Sequence, residues 1–168
     1  MISLSDTTAA PARVPAERFA TFQTRLDSAG LRHALSDILM ATDYRYIGIF
    51  RFDNGMANSV VHYDRQNPEV LDTSEVLDTA TYCCYVRDSQ GAFTTADALQ
   101  DPRLGAHPAR GAVRAYCGVP IMDDAGAILG TLCHYDDVPR DPRQIDLELM
   151  IQVAAFLARD HTLPAYRR

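Results

Sequence analysis

The sequence lacks several features that mark common protein classes. No stretch of its 168 residues approaches the roughly 18 consecutive apolar residues of a membrane-spanning helix, and its first residues carry no secretion signal. Basic residues are also few, with 16 Lys and Arg against 22 Asp and Glu. The net charge of -6 argues against nucleic acid or an anionic membrane as a partner. We therefore expect a cytoplasmic globular protein with no membrane or nucleic-acid partner.

Cysteine is sparse, and its spacing excludes the common structural uses of cysteine. Cys83 and Cys84 are adjacent, whereas Cys117 and Cys133 stand alone in strand-like segments. The sequence has no CxxC pair and no Cys/His cluster with zinc spacing, so we expect no metal site. A disulfide framework is not expected in the cytoplasm. The four thiols are therefore predicted to be reduced and mostly buried.

A β-hairpin is predicted late in the chain. Strand-like segments at 113–121 and 128–135 flank a turn that is rich in Asp and Gly. If the loop closes symmetrically, Tyr116 lies opposite Cys133.

The two faces of this hairpin differ in chemistry. Alternation along the strands puts Cys117 and Leu132 on an almost wholly apolar face, which suits packing against helices. Tyr116, Thr131 and Cys133 fall on the other face. Solvent alone would not require tyrosine and cysteine there, so we expect this face to form the wall of a cavity. That asymmetry points to a small-molecule sensor.

A second hairpin is predicted earlier in the chain. Strands at 46–52 and 56–63 surround Asn54-Gly55, which is the strongest short-range turn signal in the sequence. Sequential pairing puts Tyr46 opposite Tyr63. If their face is the covered one, these rings would form an aromatic cavity wall, although simple core packing explains them equally well.

Helical spacing of apolar residues predicts helices near both ends. Segments at 15–29 and 31–39 form one kinked helix or two, and a last helix runs through 145–157. The apolar arc of the last helix is broad enough to contact a second subunit as well as the sheet. The segment 79–86 is either a helix or a strand, because its β-branched and aromatic content balances its helical spacing.

The order of elements predicts an α+β fold. A mainly antiparallel sheet would carry the terminal helices on one face, and short helices and loops would cover a cavity on the other. We expect a flexible leader at 1–15, one domain at 16–162 and a tail at 163–168.

Several short motifs at the expected spacing together resemble the GAF domain family, over about residues 31–157. The motifs are Tyr116-Cys117-Gly118-Val119-Pro120-Ile121, Leu129-Gly130-Thr131-Leu132-Cys133-His134-Tyr135-Asp136, Thr81-Tyr82-Cys83, Thr95-Ala96-Asp97-Ala98 and Asp101-Pro102-Arg103-Leu104.

The resemblance implies a GAF/PAS-like antiparallel sheet of about six strands with a ligand cavity opposite the terminal helices. Domains of this family bind cyclic nucleotides, bilins, haem or small metabolites, and they often pair through their terminal helices. We therefore predict a sensory domain that binds a small molecule non-covalently and forms a homodimer. The predicted ligand-binding residues are Tyr116, Cys133, Thr131, Arg114, Tyr63, Cys83 and Asp97.

Arg114 is predicted to face the cavity from the strand end. A charged group in a partly covered cavity needs a partner. Asp97, a carboxylate or phosphate of the ligand, or water could serve.

Thiol chemistry is a second hypothesis. Cys83, or alternatively Cys84, could act in a redox switch or in an enzyme similar to the free methionine sulfoxide reductases of the GAF family. A reactive thiol needs a lowered pKa, which Arg87 could provide one helical turn after Cys83. The alternative interpretation of Cys83 is a small buried apolar residue.

Two departures from known GAF patterns weigh against specific chemistries. The acidic substrate ligands of those reductases, carried over by the resemblance, fall on Tyr116, Cys133 and Tyr135, and none of these is a carboxylate. The Cys133-His134 pair resembles a bilin-attachment pair, but a strand would place the two side chains on opposite faces. We therefore expect no bilin.

A third hypothesis is a ligand-free interaction module with a filled core. Enzymatic activity is not predicted, and the sequence names no cofactor.

Overall fold

The chain forms one antiparallel sheet and four helices in the computed structural model, which describes residues 15–71, 73 and 75–159. The helices are α1 (Pro15–Ala29), α2 (Leu31–Met40), α3 (Cys83–Ser89) and α4 (Leu147–Arg159). The strands are β1 (Tyr46–Asp53), β2 (Met56–Asp64), β3 (Val76–Leu77), β4 (Phe93–Thr95), β5 (Ala115–Met122) and β6 (Ile128–Asp136). The strand order in the sheet is β3-β2-β1-β6-β5-β4. The predicted α+β fold is confirmed.

The predicted domain ends lie largely outside the described residues. The leader at 1–15 is described only at Pro15, which begins α1, and the tail at 163–168 is not described.

The sheet separates two apolar cores. On one face, α1, α2 and α4 pack against strand residues such as Ile47 and Leu132, which are fully buried. On the other face, α3 and irregular segments cover a second cluster that includes Phe50, Tyr82 and Tyr116. The terminal helices therefore share one face, as predicted, and irregular structure covers the other.

Gly30 separates the first two helices. Its φ of 90° lies in the left-handed region that favours glycine, so the chain turns there and α2 folds back against α1. The sequence left open whether this was one kinked helix or two, and the structure has two. The ambiguous segment after β3 becomes a 3₁₀ turn at Asp78–Ala80 followed by α3.

A β-bulge makes the register of the first hairpin differ from the predicted one. Asn54 and Gly55 form the predicted turn, with φ of 49° and 76°. The register between β1 and β2 then shifts beyond Phe50, so Tyr46 pairs with Asp64 rather than with Tyr63. Because a slip by one residue reverses the face of a side chain, Tyr63 lies on the helix side and not beside the predicted cavity.

The last hairpin keeps its predicted faces but not its predicted pairs. Tyr116 lies opposite Tyr135 instead of Cys133, because the turn closes one residue later than predicted, with Met122 opposite Ile128, and the register shifts by one more residue between Ile121 and Met122. The displacement is two residues, and an even displacement leaves every side chain on its original face.

A buried ion pair fixes the end of β2 against the chain that enters β1. Asp64 accepts hydrogen bonds from Nε and Nη2 of Arg45, at 2.9 and 3.0 Å, from the backbone N–H of Gln66 at 2.9 Å and from Asn67 at 3.1 Å. Burial alone would raise the pKa of Asp64, but these bonds outweigh it and hold the pKa at about 2.

Asp64→Asn is expected to remove part of the acid sensitivity of the fold. A carboxylate with a folded-state pKa of about 2, against about 3.9 in an unfolded chain, stabilises the fold fully above about pH 5. That contribution is lost as the pH falls through about 4 towards 2. The wild type should therefore lose about 2 kcal/mol more unfolding free energy than the variant over this interval.

Urea unfolding measured between about pH 6 and pH 2 tests this prediction. Asp124→Asn, in the exposed turn before β6, is the matched control and should behave as the wild type. Equal acid sensitivity of the wild type and Asp64→Asn would contradict the role given to this ion pair.

Candidate functional site

A cavity of about 290 Å³ lies between the sheet and its irregular cover. Strands β1, β5 and β6 form its floor, and the start of α3 with Thr73 and the segments at 76–82 and 109–113 forms its sides. Three predicted site residues line it, namely Tyr116, Cys133 and Cys83. The other lining residues are Phe50, Thr73, Val76, Ala80, Thr81, Tyr82, Ala109, Ala112, Val113 and Tyr135.

Tyr116 lies flat across the floor because its neighbour two residues along β5 is glycine. A Cβ at Gly118 would lie 2.3 Å from the Tyr116 hydroxyl, so any larger residue there would displace the ring. Tyr82 packs edge-on against Tyr116, with ring centroids 5.5 Å apart, and donates its hydroxyl hydrogen to the Val113 carbonyl at 2.7 Å. These contacts fix the two rings that border the cavity.

Tyr135 supplies the most polar edge of the cavity. Its hydroxyl shares a 2.5 Å hydrogen bond with Nε2 of His62, and its ring stacks on Tyr46 with centroids 4.5 Å apart. Burial raises the pKa of Tyr135 well above its usual range, so the phenol stays neutral.

Hydrogen-bond donors converge on the thiol of Cys83. Thr131 donates to its Sγ at 3.1 Å and Tyr116 at 3.4 Å, and the Cys133 thiol lies within hydrogen-bond reach. The bond from Cys133 contributes most to lowering the pKa of Cys83. The two hydroxyls add to this, and together they outweigh the opposing effect of burial. Burial and the charge on Cys83 raise the pKa of Cys133, so Cys83 is the member of the pair that loses its proton first.

The prediction that Arg87 activates Cys83 is wrong. Arg87 forms ion pairs with Asp78 and, at 3.0 Å, with Asp88, and its guanidinium lies over the ring of Phe52. The donors that lower the pKa come from the sheet instead. Cys84 has no comparable environment, because burial raises the pKa of its thiol.

The other four predicted site residues do not line the cavity. Arg114 and Asp97 satisfy each other through two bonds of 2.9 and 3.0 Å at the strand end, so neither needs a ligand as partner. Tyr63 lies on the helix face beneath Arg32, whose guanidinium is 4.8 Å from the ring centre, because of the β2 bulge. Thr131 is not a lining residue either, but its hydroxyl donates a hydrogen bond to the sulfur of Cys83.

Sequence reasoning left two main cavity residues out of the predicted site. Alternation from Cys133 places Tyr135 on the same face, so this tyrosine could have been included. Tyr82 was visible only as the middle residue of Thr81-Tyr82-Cys83, and its orientation depends on where α3 begins.

No cluster of three or more His, Cys, Asp or Glu side chains suited to a metal occurs among the described residues. Within the same part of the chain, no helix is both long and apolar enough to cross a bilayer.

The fold and cavity define a class of α+β domains in which a six-stranded antiparallel sheet carries terminal helices on one face and a covered cavity on the other. The model of the GAF domain family matches residues 28–160. The chain belongs to this family of signalling and sensory domains.

The chain also resembles part of a larger protein in sequence. The cyclic di-GMP phosphodiesterase PA2567 of Pseudomonas aeruginosa is 34% identical over 98 residues, which cover 55% of this chain and 17% of that protein. The chain thus spans under a fifth of that relative.

Solved structures support the fold alone, since their sequence identities are low. The GAF domain of an Acinetobacter phosphoenolpyruvate-protein phosphotransferase has a TM-score of 0.68 at 14% identity, covering 88% of this chain and 92% of that one. The free methionine-R-sulfoxide reductase of Neisseria meningitidis has a TM-score of 0.66 at 16% identity, with 95% of each chain covered.

Thr131→Val is expected to raise the pKa of Cys83, because the variant keeps the shape of the side chain but removes the nearer of the two hydroxyl donors to the sulfur. Peptide mass spectrometry can follow the rate at which iodoacetamide alkylates Cys83 at each pH. The midpoint of this pH profile should move to higher pH in the variant.

Thr94→Val is the matched control, since Thr94 donates to the sulfur of Cys117 at 3.6 Å, a helix-side contact. It should leave the Cys83 profile unchanged. An unchanged profile in Thr131→Val would show that this hydroxyl does not set the pKa.

Proposed function

We propose that this GAF domain is a cytoplasmic sensory domain that binds a small, uncharged, mainly aromatic molecule non-covalently in the cavity between the sheet and α3. The observation that carries the proposal is the lining of that cavity. Aromatic rings border it, and none of its described lining side chains carries a formal charge apart from the ionisable thiols.

The lack of charge among these described residues sets the ligand class. An anionic ligand buried here would lack a cationic partner and would face the readily ionised thiol of Cys83, which is costly in a site of low polarity, and a cationic ligand would find no described carboxylate in the lining. A neutral ring can stack on Tyr116 and Tyr82 and use the Thr81 hydroxyl or the Tyr135 phenol for orientation. The volume of about 290 Å³ lies at the lower end of ligand pockets and suits one ring or two fused rings.

Signal output is proposed to pass through the terminal helices to a second copy of the chain. Ile151 on α4 has 51% of its surface exposed, and Leu147 is also exposed one turn earlier, which supports a helix-mediated homodimer. The signalling relative from Pseudomonas supports a regulatory setting, although its activity belongs to that protein.

Filling the cavity is expected to abolish ligand binding. Ala109→Leu adds a side chain to the cavity wall, whereas Ala125→Leu adds the same group at the exposed turn before β6. In a thermal-shift screen of neutral aromatics, aromatic acids, amino acids and nucleotides, neutral aromatics should stabilise the wild type and Ala125→Leu but not Ala109→Leu. A ligand at about 100 times its dissociation constant adds roughly 2.7 kcal/mol.

Equal stabilisation of Ala109→Leu would place binding elsewhere. Stabilisation by nucleotides or acids alone would contradict the neutral ligand class. A screen without any stabilising compound would favour a ligand-free interaction module.

A second candidate function is two-thiol reduction, and the donors that converge on Cys83 favour it. The Cys83 thiolate attacks the electrophilic oxygen of a hydroperoxide, forms a sulfenic acid and releases an alkoxide, which takes up a proton. Cys133 then attacks that sulfur, a disulfide forms and water leaves. The lining supplies no described carboxylate for an ammonium group, so a neutral hydroperoxide suits this cavity better than a free amino-acid sulfoxide.

Under this second function, one equivalent of tert-butyl hydroperoxide should link Cys83 to Cys133. Peptide mass spectrometry without reduction would detect the linked pair. Cys133→Ser should stop at the sulfenic acid, trapped with dimedone, whereas Cys117→Ser should behave as the wild type. Oxidation of Cys83 no faster than that of Cys117 would exclude this chemistry.

A further inference from the structure

The outer face of α4 carries exposed apolar side chains between two charges. Glu148, Ile151, Ala155 and Arg159 follow one another at intervals of three and four residues, so they share one face of the helix. The buried residues of α4, which pack against the sheet, lie on the opposite face. Ile151 keeps 51% of its surface exposed.

Two mainly apolar grooves extend this face on both sides of the helix. One lies between α4 and the end of β5, at Pro120 and Met122, and the other lies between α4 and Phe19 of α1. Ile151 and Ala155 line both grooves and so form the ridge between them. A lone exposed isoleucine would need no explanation, but a continuous apolar surface of this kind is typical of a protein contact.

The two ends of this face carry opposite charges. Glu148 lies in the first turn of α4 and Arg159 in the last, and both are exposed. A helix rises about 1.5 Å per residue, so the two lie about 16 Å apart along it, which is too far for an ion pair within one helix. In the part of the chain that the structure describes, neither forms an ion pair with any other residue. Their order suits the helix dipole, but the dipole does not account for the apolar ridge between them.

A face with this order of charges is complementary to itself. When two copies of α4 meet antiparallel about a two-fold axis, Glu148 of each copy lies opposite Arg159 of the other. The axis then passes midway between these two positions, near Ala155, whose small side chain lets the helices approach closely. A parallel pair would instead set Glu148 against Glu148 and Arg159 against Arg159, and these like charges repel.

The apolar ridge lies at the centre of the antiparallel arrangement. Ile151 of each copy packs beside Ala155 of the other, so both exposed isoleucines are removed from water. The contact then has an apolar centre and charged ends, which is the usual arrangement of a protein interface.

We propose that the outer face of α4 binds a second copy of this chain, with the two α4 helices antiparallel and Glu148 of each copy against Arg159 of the other. This inference rests on the proposed function, which assigns signal output to a homodimer, and it adds the surface and the orientation. The cavity beside Cys83 lies on the other face of the sheet, so the contact leaves that cavity accessible.

Sedimentation equilibrium of the full chain, with charge reversals, tests the orientation. Glu148→Arg and Arg159→Glu should each weaken dimerisation at least about tenfold, because each replaces two attractive contacts per dimer with two repulsive ones. The double variant Glu148→Arg/Arg159→Glu exchanges the signs and should return the dissociation constant to within about threefold of the wild type. Asp124→Arg, in the exposed turn before β6, changes the net charge as Glu148→Arg does and should leave dimerisation unchanged.

Ile151→Glu tests the apolar ridge. It places a charge at the centre of the contact, so this variant should be monomeric at concentrations where the wild type is dimeric. Val138→Glu makes the same kind of change at another exposed apolar residue and should remain dimeric. Circular dichroism checks folding, and if Ile151→Glu does not fold, the charge reversals at exposed positions decide.

Three results would overturn the inference. One is a wild type that stays monomeric up to about 1 mM, a concentration that reveals even a weak contact. Another is a dimer that a folded Ile151→Glu leaves intact, in which case output through a homodimer would use a different surface. The last is a double variant that dimerises as weakly as the single reversals. Stabilisation of monomeric Ile151→Glu by neutral aromatics would keep the cavity proposal in place whatever the outcome at α4.

Discussion

Alternation along β6 is the constraint on which both faces of the sheet depend. Consecutive side chains of a strand point to opposite faces, so Cys133 joins the cavity beside α3 while His134 enters the core beneath the terminal helices. One strand therefore supplies polar groups to two chemically separate spaces. A shift of β6 by one residue would exchange these two environments.

Buried polar groups are accommodated differently on the two faces of the sheet. On the α3 side, Cys83 collects donors from Thr131, Tyr116 and Cys133, so an ionised sulfur can exist inside an apolar cluster. On the helix side, His134 has no described partner and burial keeps it neutral. The first arrangement favours a reactive or orienting thiol, and the second keeps a neutral imidazole packed in the helix-side core.

The sequence sufficed for the fold class because hydrophobic alternation, the Asn54-Gly55 turn and the family motifs all pointed to the same arrangement. It also placed Tyr116, Cys133 and Cys83 beside one cavity. The bulge that turned Tyr63 away has no residue signature in β2, and the mutual pairing of Arg114 and Asp97 depends on distances that spacing does not give. The donors around Cys83 come from residues about 33 to 50 positions later in the chain. Sequence spacing does not reveal such contacts, and Arg87 was the cation nearest to Cys83 in the sequence.

The accessibility of individual thiols tests this division of the sheet most directly. Cys83 and Cys117 are equally buried, but Cys83 lines the cavity beside α3 and hydrogen bonds lower its pKa, whereas Cys117 lies in the helix-side core and burial raises its pKa. Alkylation of the native protein by iodoacetamide, resolved by peptide mass spectrometry, should modify Cys83 at least about tenfold faster than Cys117, with the difference lost in urea. Modification of Cys117 as fast as Cys83 in the native state would contradict the account.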